Sequence, residues 1–395
     1  MSLNHTPSAE RVHIGIFGKR NAGKSSIMNA ITGQTLAIVS EQKGTTTDPV
    51  IKSMELLPLG PVVLIDTPGL DDEGELGRMR VHKAYQVLNK IDVAILVVDA
   101  KVGMTKEDEQ ILAHIKTKEI PYMVVMNKAD LCEGSFAKDK DVLFVSANTG
   151  FHVEILKERL AKCAQKEESK KKIVGDLLAP MDIVVLVVPI DGAAPKGRLI
   201  LPQQQTIRDI LDANAVSIVV KDTELKETIE KFASQIKMVI TDSQAFGRVA
   251  KLVPKEIPLT SFSILFARYK GNLKTVVEGA YGLETLQDGD RVLISEGCTH
   301  HRQCDDIGTV KLPRWILEYT GKQINFEYTS GTEFPADLSK YRLIIHCGGC
   351  MLNEREMKYR LACAKDQKVL ITNYGTAIAH MKGILERSIE IFSEL

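Results

Sequence analysis

Two stretches of this chain, far apart in sequence, hold residue types whose spacing can do chemistry. In GIFGKRNAGKSS, Gly18 is followed at a fixed interval by Gly23, Lys24 and Ser25. Glycines let backbone N–H groups wrap phosphate, so a loop running through Asn21, Ala22, Gly23 and Ser26 can cradle an anionic tail. Lys24 then reaches the terminal phosphates and the Ser25 hydroxyl binds Mg²⁺. The second stretch, HCGGC at 346–350, offers the thiols of Cys347 and Cys350 beside the imidazole of His346. A third thiol, Cys298, lies in RVLISEGCTH together with His300. Soft donors of this kind suit zinc or iron–sulfur chemistry.

Further motifs follow the phosphate loop in order. VVLIDTPG places Asp66 at a strand end, where its carboxylate can hold the metal through water and the Gly69 N–H can meet a γ-phosphate. Before it, KGTTTDP supplies Thr45, Thr46 and Thr47. Thr46 is expected at the nucleotide, and Thr47 on Mg²⁺ only while the γ-phosphate is present, which would make the loop a switch. In MVVMNKAD, Asp130 can accept hydrogen bonds from guanine N1–H and the 2-amino group, which adenine does not offer. A site built for such bonds rejects the wrong base by ~10⁴–10⁵. Asn127 and Lys128 shape the base pocket, and backbone N–H groups of Ser146, Ala147 and Asn148 can meet guanine O6. GTP or GDP with Mg²⁺ is the expected ligand, with Lys24, Asn21 and Thr47 as the catalytic candidates.

At the thiol end the spacing leaves alternatives open. Three thiolates with His300 or His346 would close a zinc tetrahedron; CxxC alone also suits a redox pair. Three thiolates are also how a 4Fe-4S cluster is held with one iron open to a weaker ligand, for which Glu296, His300, His346 and Asp305 are candidates. Gly348 and Gly349 leave room for inorganic sulfide. His301, Cys304, Cys132, Cys163, Cys363 and Trp315 read as bland neighbours or core residues.

The elements that must position these residues read as α/β throughout. Residues 11–165 alternate short β-rich runs (VHIGIFG, VVLID, VAILVVD, YMVVMN, VLFVSA) with helix-length stretches, predicting a doubly wound, mostly parallel sheet. A second βα series follows: the strand MDIVVLVVPID, a helix over QQQTIRDILDANA, VSIVV, a helix over ELKETIEKFASQI, then KMVIT. The third segment is expected to repeat the theme, with SFSILFARYKG, RVLISEGC, YRLIIHCGGC and KVLITNYG as its strands. Lost periodicity near 166–175 and the two prolines of VPKEIPL set boundaries, giving domains at 1–170, 171–258 and 259–395. Carboxyl ends of neighbouring parallel strands would bring Cys298, Cys347 and Cys350 together.

Lys+Arg and Asp+Glu both number 51, so no chain-wide field favours nucleic acid or anionic lipid. No apolar run reaches bilayer length, the first residues lack the profile of a secretion signal, and the seven cysteines do not read as a disulfide framework. The expectation is a cytoplasmic protein without nucleic-acid or membrane partners.

Over residues 11–165 the ordered motifs resemble the translation-factor-like GTPases. Leu70 stands where Ras-like members have the glutamine that orients water, so fast unaided hydrolysis is not expected. Asn21 matches the asparagine with which the potassium-activated branch binds a monovalent cation, implying stimulation by K⁺. The whole set, an N-terminal GTPase followed at a distance by Cys298-Thr299-His300 and then His346-Cys347-Gly348-Gly349-Cys350, resembles the HydF family, the maturation GTPases of FeFe hydrogenases. That resemblance implies a homodimer with a GTP-binding, a dimerisation and a 4Fe-4S cluster-binding domain. It further implies a di-iron precursor carried for delivery to apo FeFe-hydrogenase, with radical-SAM maturation enzymes as the other partners. The rival expectations are a GTPase with a structural zinc module acting in ribosome or RNA maturation, and a scaffold with vestigial GTPase activity.

Overall fold

The computed structural model describes residues 10–33, 50–69, 84–132, 141–164, 171–190, 199–271, 273–297, 306–331, 333–335, 337–349 and 352–392. The chain forms two compact units, Met1–Ser169 and Lys170–Leu395.

The first unit is built on a six-stranded sheet, β1 Val12–Phe17, β2 Val50–Leu56, β3 Gly60–Asp66, β4 Val93–Asp99, β5 Tyr122–Asn127 and β6 Val142–Phe144, in the order β2-β3-β1-β4-β5-β6. All neighbours are parallel except the β2–β3 pair, which sets Val50 opposite Asp66. Nearly every residue of VAILVVD in β4 is buried, because helices cover both faces. On one face Ile14, Ile16, Ile95 and Val97 pack with Ile27, Met28 and Ile31 of the helix Lys24–Thr32 and with Leu156 and Leu160 of Val153–Ala164. On the other, Phe17, Leu96 and Val98 meet Ile111 and Ile115 of Lys106–Thr117.

The second unit holds two four-stranded parallel sheets. One comprises β7 Ile183–Val187, β8 Val216–Val220, β9 Ile236–Thr241 and β10 Leu259–Ser261, in the order β10-β9-β7-β8. The other comprises β11 Arg291–Ser295, β12 Asn325–Thr329, β13 Leu343–His346 and β14 Leu370–Asn373, in the order β12-β11-β13-β14. In both, the second strand lies on one side of the first and the third and fourth lie on the other. One core joins them: Val185, Leu186 and Val239 belong to the same buried cluster as Leu293, Ile344 and Ile371.

The stretch SFSILFARYKG, expected as a strand, is the helix Phe262–Lys270. Its apolar run is continuous because it is buried on most sides, with Phe262, Ile264, Leu265 and Phe266 all in the core. Ser261 ends β10 and its hydroxyl accepts a hydrogen bond from Ile264 N at 3.3 Å, starting the helix at once. Among the described residues no helix is long and apolar enough to cross a membrane.

Candidate functional sites

The phosphate loop leaves β1 and enters the helix Lys24–Thr32 through three positive-φ residues, Gly18 at 143°, Asn21 at 60° and Gly23 at 92°. A Cβ at Gly18 would stand 2.2 Å from the Val97 carbonyl oxygen, and one at Gly23 2.1 Å from Asn127 Nδ2, so neither position admits a side chain. No side chain caps the helix start, which leaves its first amides for an anion. Lys24 Nζ lies across the loop, donating to the carbonyls of Gly18 at 2.9 Å and Lys19 at 2.8 Å. Ser26 sits in the first turn, and Ala22 is buried beneath the loop.

Ser25 Oγ donates to Asp66 Oδ2 at 2.7 Å, while the buried Asp66 Oδ1 has no hydrogen-bond partner. Burial raises the Asp66 pKa, against the smaller opposing effects of the Ser25 bond and the Lys24 charge. An orphaned, desolvated carboxylate oxygen beside a serine hydroxyl fits a divalent cation. Thr67 bonds the carbonyl of Ile16 through both its N–H and its hydroxyl, fixing the turn toward the buried Gly69. Thr45, Thr46, Thr47 and Leu70 lie outside the described residues.

At the base end, Asn127 Nδ2 donates to the Ala22 carbonyl at 3.0 Å and its Oδ1 accepts from Ala147 N at 3.1 Å. This asparagine therefore ties the phosphate loop to the loop beyond β6, and Ala147 N–H would have to be shared for it to meet guanine O6. Lys128, at φ 63°, pairs with Asp99 at 2.6 Å. Ser146 is buried and accepts from Thr149 N at 3.2 Å, whereas Asp130 and Asn148 are exposed.

In the second unit the thiol stretch lies where strand order reverses. The chain leaves β11 toward β12 on one side and returns to β13 on the other, a crevice that open parallel sheets use for ligands. Ser295 faces His346 across the ladder, Cys347 N donates to Ser295 O at 3.0 Å, and Gly297 N donates to Cys347 Sγ at 2.9 Å. Gly297, the last described residue of this turn, is followed in the sequence by Cys298. A Cβ at Gly349, φ 61°, would sit 2.8 Å from Met357 Sδ, whereas Gly348 has open space. A thiol accepting a backbone N–H at a strand tip, beside a glycine turn with room, fits a sulfur-bound metal centre.

Of the fourth-ligand candidates, Glu296 is buried and accepts from Tyr374 Oη at 3.3 Å. His346 is enclosed, with Nδ1 2.7 Å from the Cys347 carbonyl and Nε2 2.9 Å from Arg360 Nη1. Because a guanidinium only donates, Nε2 must accept, which leaves the proton on Nδ1. Burial, then the Arg360 charge, push its pKa down to about 3. Both ring nitrogens are thus occupied. Cys298, His300, His301, Cys304, Asp305 and Cys350 lie outside the described residues. Among those described, no group of three or more His, Cys, Asp or Glu gathers as a metal site. The sequence reading missed Arg360, whose spacing to Glu356 looks like an ordinary solvated pair on a helix. The side chains of both are buried, at 0% and 4% exposure.

Family models match three consecutive parts of the chain: a 50S ribosome-binding GTPase over residues 13–128, the hydrogen maturase F dimerization domain over 173–271, and the hydrogen maturase F tetramerization domain over 274–391. The chain belongs to the hydrogen maturase F family. Among curated relatives, tRNA modification GTPase MnmE of Nitrosomonas eutropha is 34% identical over 158 residues, 39% of this chain and 35% of its own length. GTPase Der of Clostridium perfringens is 37% identical over 164 residues, 36% of this chain and 37% of its own. The chain thus spans little more than a third of these relatives. A solved Era variant from Aquifex aeolicus, bound to GDP·AlF4⁻, is 20% identical with a TM-score of 0.36, covering 55% of this chain and 97% of that one. The first unit is a GTPase domain of the P-loop class, which implies GTP or GDP and Mg²⁺ as its ligands. The hydrogen maturase F match covers the segment that carries Cys347.

Proposed function

We propose that this protein is a GTP-hydrolysing carrier in FeFe-hydrogenase maturation, holding a 4Fe-4S cluster and delivering a di-iron precursor as cargo to the apo-enzyme. The observation that carries this reading is Cys347 Sγ meeting the amide next to Cys298, in a chain that also holds the phosphate loop. Residues 1–170 bind nucleotide, 171–258 dimerise and 259–395 hold the cluster. Apo FeFe-hydrogenase and the radical-SAM maturation enzymes are its partners, in the cytoplasm.

In the nucleotide site, backbone amides from Asn21 through Ser26 receive the phosphates, and Lys24 exchanges its two carbonyl partners for phosphate oxygens. Ser25, Asp66 and Thr47 would hold Mg²⁺, which would supply positive charge beside the phosphates. Asp130 selects guanine. Asn21 would help hold K⁺, which would supply the charge an arginine finger supplies elsewhere. In the cluster site Cys298, Cys347 and Cys350 are the thiolate ligands. Glu296 or His300 is the better fourth-ligand candidate, because both nitrogens of His346 are bonded. Nucleotide state acts on partner exchange by differential affinity.

Anaerobic purification followed by iron, sulfide and zinc analysis tests the cluster. Iron and sulfide in equal amounts, falling when Cys298, Cys347 or Cys350 is replaced by alanine, are expected. Stoichiometric zinc without iron would replace this reading by that of a structural zinc module. Phosphate release should rise when Na⁺ is exchanged for K⁺ and lose that response in Asn21→Ala; equal rates in both salts remove the role given to Asn21.

A further inference from the structure

Among the described residues Arg360 has the largest fully buried side chain, and the packed core alone does not explain it. It projects from the helix Glu354–Asp366, which follows HCGGC. Nη1 donates to Ser295 Oγ at 3.1 Å and lies 2.9 Å from His346 Nε2. Nη2 donates to the Gly331 carbonyl at 2.9 Å, and Nε donates to Glu356 Oε1 at 3.0 Å. Thr329 Oγ1 donates to the same Ser295 Oγ at 3.1 Å. One guanidinium therefore touches the tips of β11 and β13 and the turn just past β12, the three adjacent strands whose carboxyl ends form the crevice.

Burying a guanidinium is costly, and its charge is balanced locally by Glu356, so little net field is left to act on a neighbour. An apolar side chain of similar volume could fill the space. What it could not do is hold diverging acceptors at fixed separation, which needs the planar fork of five donors; an ammonium cannot span them either. From His346 the linkage continues through Nδ1–H to the Cys347 carbonyl, and from Ser295 the chain runs two residues to Gly297, whose amide meets Cys347 Sγ.

We propose that Arg360 is a positioning residue, a buried clamp that sets the separation between the Cys347 turn and the turn leading to Cys298. This rests on the cluster-carrier reading for its purpose, though the clamp itself is a property of the metal-free chain.

The test uses the full chain with Arg360→Met and Arg360→Lys, compared with wild type by circular dichroism to verify folding. In the metal-free protein, hydrogen exchange at Gly297 and Cys347 N–H should be roughly tenfold faster in both variants, since their bonds lose the element that aligns them. After anaerobic reconstitution, both should hold less iron and give a reduced EPR spectrum with shifted or broadened g-values, a readout that simple loss of stability does not move. Wild-type exchange and spectrum in both variants would overturn the proposal. If neither variant folds, Ser295→Ala, which deletes one acceptor, decides: a smaller change of the same kind supports the clamp, and no change reduces Arg360 to a fold element. A wild-type protein that takes up no iron would sink the carrier reading, while the exchange measurement still decides the clamp.

Discussion

Asp130 is exposed and Asp66 is buried, and the contrast separates two kinds of carboxylate work. Asp130 is the residue proposed to accept from a base with two donors. Replacing it by Asn puts an N–H₂ before the guanine 2-amino group, so GTP should bind roughly 10²–10⁴-fold more weakly. Xanthosine triphosphate, with a carbonyl there, should gain, and competition binding measures both changes. In the second unit, Glu356→Ala leaves the Arg360 charge buried without its counter-ion, and about 3–5 kcal/mol of stability should be lost in urea unfolding. Asp130 could be singled out from sequence because its motif has a fixed order behind the phosphate loop. Arg360 could not: a Glu and an Arg four apart on a charged helix carry no mark of burial, which only the packing of Ser295, His346 and Gly331 around them creates.

The helix Glu354–Asp366 begins at Asn353, whose side chain accepts from Glu356 N at 2.9 Å. Asn353→Ala should cost about 1 kcal/mol, read from the melting of the second unit, because a first-turn amide loses its partner. Most strands could be read from sequence, since parallel strands covered on both faces give unbroken apolar runs such as VAILVVD. The same logic misled at SFSILFARYKG, where a helix buried on most sides looks like a buried strand. It also passed over β2, with its alternating half-exposed residues, and β12, an edge strand with no fully buried residue. That Cys347 follows a strand directly was readable from sequence, but the bond from Gly297 N to Cys347 Sγ needed the register of β11 against β13.

The two units have separate cores, so nucleotide should stabilise them unequally. With GTP at a hundred times its dissociation constant, calorimetry should show the first unit gaining about 2.7 kcal/mol while the transition of the second stays in place. Acid should also act on the first unit. Burial lowers the His13 pKa below 6.5, outweighing the pull of Asp92, so the folded state holds this ring neutral. The stability this gives is complete above pH 6.5 and is lost as pH falls toward the folded pKa, because the unfolded chain takes the proton first. Melting across that range should flatten in His13→Asn. The pairing of Val50 with Asp66 has a consequence for sensing. Thr47 precedes Val50 by three residues in the sequence. In the Mg²⁺ role proposed for it, a hydroxyl recruited there would start from a chain end already anchored in the sheet, so fewer residues would have to be ordered on capture.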